Sequence, residues 1–112
     1  MDDNTLTILW TQDNKVTLSE MVGMYARNAV KHGWWDAVRI VLWGASSKLA
    51  GDDREVRDLL EGLMAAGVSI HACKACADDL GVTETLESIG VKVEYWGTGL
   101  TEAIKSGHLL AV

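Results

Sequence analysis

Short apolar runs alternate with amphipathic segments along the whole chain, and this alternation constrains the fold more than any other feature. Leu6-Thr7-Ile8-Leu9-Trp10, residues 38–43 and residues 68–72 read as strands, with Ile40-Val41-Leu42 nearly continuous, as expected for a strand buried on both faces. Val91-Lys92-Val93-Glu94-Tyr95 alternates apolar and polar, the pattern of an edge strand with one wet face, and residues 108–112 form a closing strand. Between the first two runs, Thr17-Leu18-Ser19-Glu20 has the capping-box form. Leu18, Met21, Val22, Tyr25 and Ala29 follow at helical spacing, and His32-Gly33 ends that helix. A short helical piece around residues 48–50 precedes a longer helix, capped by Asp52, with Val56, Leu59, Leu60, Leu63 and Met64 on one stripe and Gly67 as its stop. Three more helices are predicted over residues 75–80, 83–89 and 100–105. Strands alternating with helices imply parallel pairing and helices on both faces. The right-handedness of crossovers makes that a three-layer α/β sandwich.

The chain has 112 residues, the length of a single domain over residues 1–112. Its net charge of −6, from 10 Lys and Arg against 16 Asp and Glu without a basic cluster, speaks against nucleic acid as a partner. No apolar stretch approaches the roughly 20 residues of a membrane span. The opening Met1-Asp2-Asp3-Asn4 lacks the positive charge of a secretory signal, so a cytoplasmic location is expected.

Ligands of open α/β sheets sit outside the carboxyl ends of the strands. Three loops fall there: residues 11–15, 44–48 and 73–76. The last holds the only two cysteines, Cys73 and Cys76. In a cytoplasmic chain this spacing points to thiol chemistry rather than a disulfide framework. Cys73 stands at the end of the third strand and the expected start of a helix, where partial positive charge favours the thiolate. Lys74 adds to that effect, whereas Asp78 and Asp79 oppose it. On one helical face the two Cα atoms would lie roughly 5–6 Å apart, within disulfide range. Buried structural filler is the bland alternative for these residues. A zinc site would need four ligands, and there is no second pair, so no metal or other cofactor is expected.

His71, two residues before Cys73, shares its face if the strand continues and is the one local base candidate, although a satisfied structural role suits it better. His32 and His108 belong at the opposite edge. Gly44, Ser46 and Ser47, with Lys48 after them, lack the Walker-A pattern but would line a wall beside the cysteine loop, or serve only as a helix cap. Trp10 and Trp43 end strands at the ligand edge and could wall a pocket there with Thr11, or simply close the core. Trp34 and Trp35 are adjacent, so one of them is a candidate for a subunit contact.

Trp43-Gly44-Ala45-Ser46, Ala66-Gly67-Val68, Ala72-Cys73-Lys74-Ala75-Cys76-Ala77-Asp78, Gly81-Val82 and Gly90-Val91 occur in the order found in DsrE/DsrF-like proteins, and the chain resembles one such domain over residues 5–112. That resemblance implies a five-stranded parallel sheet in the order 4-3-2-1-5. It also implies homo-oligomers, as trimers, hexamers or dimers. The family includes sulfur-relay subunits of the TusD type, which carry a persulfide on a cysteine after the third strand. Cys73 lies eight residues before Gly81, as in the TusD-like pattern, and Cys76 five before it, as in the YchN-like pattern. Leu80 stands where the family often has Arg. The resemblance therefore implies handling of sulfane sulfur, with Cys73 taking it from a donor protein, Cys76 modulating or resolving the persulfide, and an acceptor protein receiving it. A non-catalytic binding module and a thiol–disulfide redox switch remain the alternatives.

Overall fold

The computed structural model describes residues 4–112; Met1, Asp2 and Asp3 of the opening segment lie outside the described residues. Strands β1 (Thr5–Trp10), β2 (Ala37–Leu42), β3 (Ser69–Cys73), β4 (Lys92–Glu94) and β5 (Leu109–Ala111) form one parallel sheet in the order β4-β3-β2-β1-β5. The steps from β1 through β4 all run in one direction. Right-handed crossovers therefore place α1 (Lys15–Thr17), α2 (Gly23–Lys31), α3 (Ala45–Asp52), α4 (Arg54–Ala65), α5 (Lys74–Leu80) and α6 (Thr83–Ser88) on one face. The last connection turns back past β1, so among the described residues α7 (Gly97–Ser106) is the one helix on the other face.

Side-chain parity follows from this division. Leu6, Ile8 and Trp10 of β1, with Val38, Ile40 and Leu42 of β2, pack against Leu18, Val22, Ala26, Val56, Leu60 and Leu86 in one continuous core. The opposite face carries a much smaller cluster of Val41, Cys73 and Trp96, flanked by Leu9, Trp43, Cys76 and Leu100. Ala103 is the one buried residue of α7. The sandwich has its three layers, but the second helical layer is a single helix.

Local sequence chemistry accounts for most boundaries, with three departures from the expectations above. The first helix begins earlier, because Asn14 rather than Thr17 caps it: Asn14 Oδ1 accepts the Thr17 N–H at 3.0 Å. Between α1 and α2 the helix widens into a π-helical stretch, Leu18–Val22, where the Gly23 N–H reaches back to Leu18 O. A Cβ on residue 23 would lie 2.8 Å from that same oxygen, so glycine is what lets the wide turn close. This shift also leaves Met21 exposed rather than on the core stripe. Second, Asp53 and not Asp52 caps α4, accepting the Val56 N–H at 3.2 Å, while Asp52 completes α3. Lys15 bridges Asp53 and Glu55 at 3.0 Å each and so joins the two helix starts. Third, α7 starts at Gly97, three residues before the predicted Leu100.

Candidate functional site

At the carboxyl end of the sheet, the loops after β2 and β3 face each other across an open cleft of ≈520 Å³. Its lining is Trp43, Gly44, Ala45 and Lys48 on one side and Cys73, Ala75, Cys76, Asp79 and Leu80 on the other. Cys73 is both the last residue of β3 and the residue that precedes α5, with extended backbone (φ −66°, ψ 121°). Its strand position turns the side chain onto the thinly covered face. There it packs with Val41 and Trp96 and keeps only 5% of its surface exposed. Cys76, one turn into α5, is half-buried. Both thiols are free.

Cys76 Sγ accepts a hydrogen bond from the Gly44 N–H at 3.1 Å. The backbone at Gly44 (φ 75°, ψ −127°) is one that residues with a Cβ avoid, and it forms the turn that starts α3. Ser46 fixes this turn from below. Its hydroxyl donates to Trp10 O at 2.5 Å and accepts the Trp43 N–H at 2.9 Å, joining the ends of β1 and β2. The donor beside Cys76 is therefore held by the core.

Cys73, Cys76 and Gly44 thus meet at the cleft, as the sequence suggested; six other predicted residues lie elsewhere. Trp10 pairs in register with Leu42, so its side chain enters the main core, whereas Trp43 comes one residue later and takes the cleft side. Thr11 turns toward the far edge, where its N–H and hydroxyl both donate to Val112 O, at 2.9 and 3.3 Å. Ser46 and Ser47 are fully buried, and Ser47 Oγ has no hydrogen-bond partner among the described residues. Lys74 points away from the thiols: its ammonium pairs with Asp78 at 2.9 Å and lies 5.9 Å from the centre of the Tyr95 ring. The hydrogen bond to Asp78 holds the Lys74 ammonium above the usual lysine range. Asp78 is held below the usual carboxylate range, first by the Thr83 hydroxyl and then by Lys74. The cation that borders the cleft is instead Lys48, paired with Asp52 at 2.7 Å.

His71 shares the face of Cys73 but not the cleft. Its Nδ1 meets Glu94 Oε1 at 2.9 Å, its Nε2 meets Ser69 Oγ at 2.6 Å, and its ring stands edge-on to Trp96. Burial pushes the imidazole below the usual histidine range, against the opposing pull of Glu94. Lys48 lines the cleft within the segment expected there, whereas Asp79 and Leu80 were lining residues the sequence did not single out for the pocket. Their signal was helical spacing, since they follow Cys76 by three and four residues. Among the described residues no group of three His, Cys, Asp or Glu side chains could hold a metal ion, and no helix is long and apolar enough to cross a membrane.

The model of the DsrE/DsrF-like family matches residues 33–110, from just before β2 into β5. The chain belongs to that family. A conserved protein of unknown function from Bacteroides thetaiotaomicron, BT1422, is 40% identical; the match covers 98% of this chain and 96% of that one, with a TM-score of 0.93. The YchN protein of E. coli shares the fold at 17% identity and a TM-score of 0.70, over 96% of this chain and 99% of its own. MTH1491 of Methanobacterium thermoautotrophicum, also of unknown function, does so at 19% and 0.68, over 96% of each chain. A search of curated proteins finds no match. The sheet order inferred from resemblance is the one observed, and the alternating fourth strand is at the edge where its pattern put it.

Proposed function

We propose that this DsrE/DsrF-like protein handles sulfane sulfur on a cysteine of the cleft, as a carrier in a sulfur relay. The observation that carries the reading is the Gly44 N–H directed at Cys76 Sγ, at the open side of a cleft that both sulfurs line. A donated N–H stabilises negative charge on the atom that accepts it. Cys76 is also the more exposed of the two thiols. It is therefore the receiving nucleophile, and Cys73, which the sequence alone put in that role, is the sheltered second thiol. In the transfer, Cys76 thiolate attacks the outer sulfur of a donor persulfide. A new S–S bond forms as the donor's S–S bond breaks, and the donor leaves as its thiolate. An acceptor thiolate then takes the outer sulfur and restores Cys76. No external oxidant or reductant is needed.

The test is to incubate the protein with a small-molecule persulfide and map added sulfur by peptide mass spectrometry. One sulfur atom on Cys76, lost in Cys76→Ser and kept in Cys73→Ser, is the expected result. Absence of added sulfur from both cysteines overturns the proposal. Self-assembly belongs to the same reading. Trp34 is 53% exposed beside Tyr25 and His32, while Trp35 turns inward and donates its Nε1–H to Tyr25 Oη at 3.1 Å. Sedimentation of Trp34→Glu should show a smaller species than the parent protein.

A further inference from the structure

The thinly covered face holds a second set of chemically connected side chains, separate from the thiols. Ser69 and His71 are alternate residues of β3, and Glu94 reaches His71 from the neighbouring β4. The Ser69 Oγ···His71 Nε2 distance is 2.6 Å and the His71 Nδ1···Glu94 Oε1 distance is 2.9 Å. An ionised carboxylate only accepts, so Nδ1 carries the proton of a neutral ring; Nε2 is then bare and accepts the Ser69 hydroxyl. This is the order of contacts by which a serine is made nucleophilic: hydroxyl, imidazole, carboxylate.

Two cations flank the relay. Arg39 is the register partner of Ser69 on β2, and Lys92 is the register partner of His71 on β4. Neither has an acidic partner among the described residues, although the protein as a whole is acidic. Arg39 donates its Nε–H to Thr7 Oγ1 at 2.8 Å and lies over Trp96, which leaves its terminal nitrogens uncommitted. A surface cavity of ≈280 Å³ is lined by Ser69 and Lys92 together with Met64, Val68, Ile70 and the glycines at 67 and 90, so it meets the relay at its serine end.

We propose that Ser69, His71 and Glu94 form an acyl-transfer site for small esters that carry an anionic group. Ser69 Oγ bonds to the ester carbonyl carbon as its proton passes to His71 Nε2. The bond to the leaving alcohol breaks, and the alcohol oxygen takes that proton from Nε2. Water then attacks the acyl–serine, giving one proton to Nε2 and from there back to Ser69, and a carboxylic acid is released. Arg39 and Lys92 supply the positive charge that the oxyanion and the anionic group of the substrate require. Burial, which disfavours the charged imidazolium against the opposing pull of Glu94, is consistent with His71 as the base that the contacts place beside Ser69.

The test uses the full chain. A fluorophosphonate probe should attach to the peptide that contains Ser69, with peptide mapping separating this from any reaction at Cys73 or Cys76. Release of p-nitrophenol from p-nitrophenyl hemisuccinate should fall about 100-fold or more in Ser69→Ala and about tenfold or more in Glu94→Gln. Lys92→Ala should raise KM for the hemisuccinate several-fold more than it raises KM for p-nitrophenyl acetate, which lacks the anionic group. The proposal is overturned if wild-type protein gives no adduct at Ser69, a measurement that needs no variant to fold. It is equally overturned if Ser69→Ala and Glu94→Gln, both with native circular dichroism, hydrolyse the hemisuccinate at the wild-type rate. An unchanged KM in Lys92→Ala overturns the assignment of an anionic substrate.

Discussion

The two faces of the sheet solve different problems. Among the described residues, one is covered by six helices and meets them with apolar strand side chains, from Leu6, Ile8 and Trp10 of β1 to Ile70 and Ala72 of β3. The other is crossed by α7 alone and mixes Thr7, Arg39, Ser69 and His71 with Cys73 and Trp96. Stability should therefore reside on the first face and reactivity on the second. The reason is geometric. Polar side chains in mid-strand can be accommodated only where the covering layer is thin enough to leave them partners or solvent.

Substitutions can break or sharpen that contrast. The largest effect is expected in the thick layer: Leu60→Ala should lower unfolding free energy by about 2–5 kcal/mol in a denaturant titration, because Leu60 is fully buried among facing helix and strand. Leu9→Ala, on the thin face, should cost clearly less; an equal loss would remove the contrast. Ser46→Ala comes next, at about 1–3 kcal/mol, since Trp10 O and the Trp43 N–H lose their shared hydroxyl. It should also slow persulfide loading of Cys76 if the donor at Gly44 depends on the core beneath it. Asp53→Ala should cost roughly 1 kcal/mol through loss of the α4 cap.

The smallest effect is one of pH. The His71 pKa is lower in the folded protein than in the unfolded chain, so the unfolded state binds the proton more readily. The His71 contribution is thus fully present above the unfolded value near 6.5 and is lost as pH falls below it. Unfolding free energies measured from pH 7 to pH 5 should decline for the wild type more steeply than for His71→Gln.

Much of the thick face was legible in the sequence, because its signals are local. Helical spacing of Val56, Leu60 and Leu63 marks α4, and Gly81 in its left-handed conformation ends α5 where expected. The cleft was legible in outline for the same reason: strand ends followed by helix starts must open at one edge. What stayed hidden depends on register between strands. Whether Trp10 or Trp43 faces the thiols follows from the pairing of Trp10 with Leu42, which composition does not encode. The partner of His71 is 23 residues away on a strand that aligns with it only after α5 and α6 have packed. Likewise, the shelter of Cys73 comes from Trp96, just past β4 at the start of α7.

The two outermost strands, β4 and β5, are only three residues long each. So little free backbone offers a poor template for adding a further strand, which disfavours fibril-like stacking of one sheet onto the next. Association through flat surfaces and exposed rings then becomes the easier route to any assembly, and the chemistry-bearing side of the molecule need not be sacrificed to protect its margins.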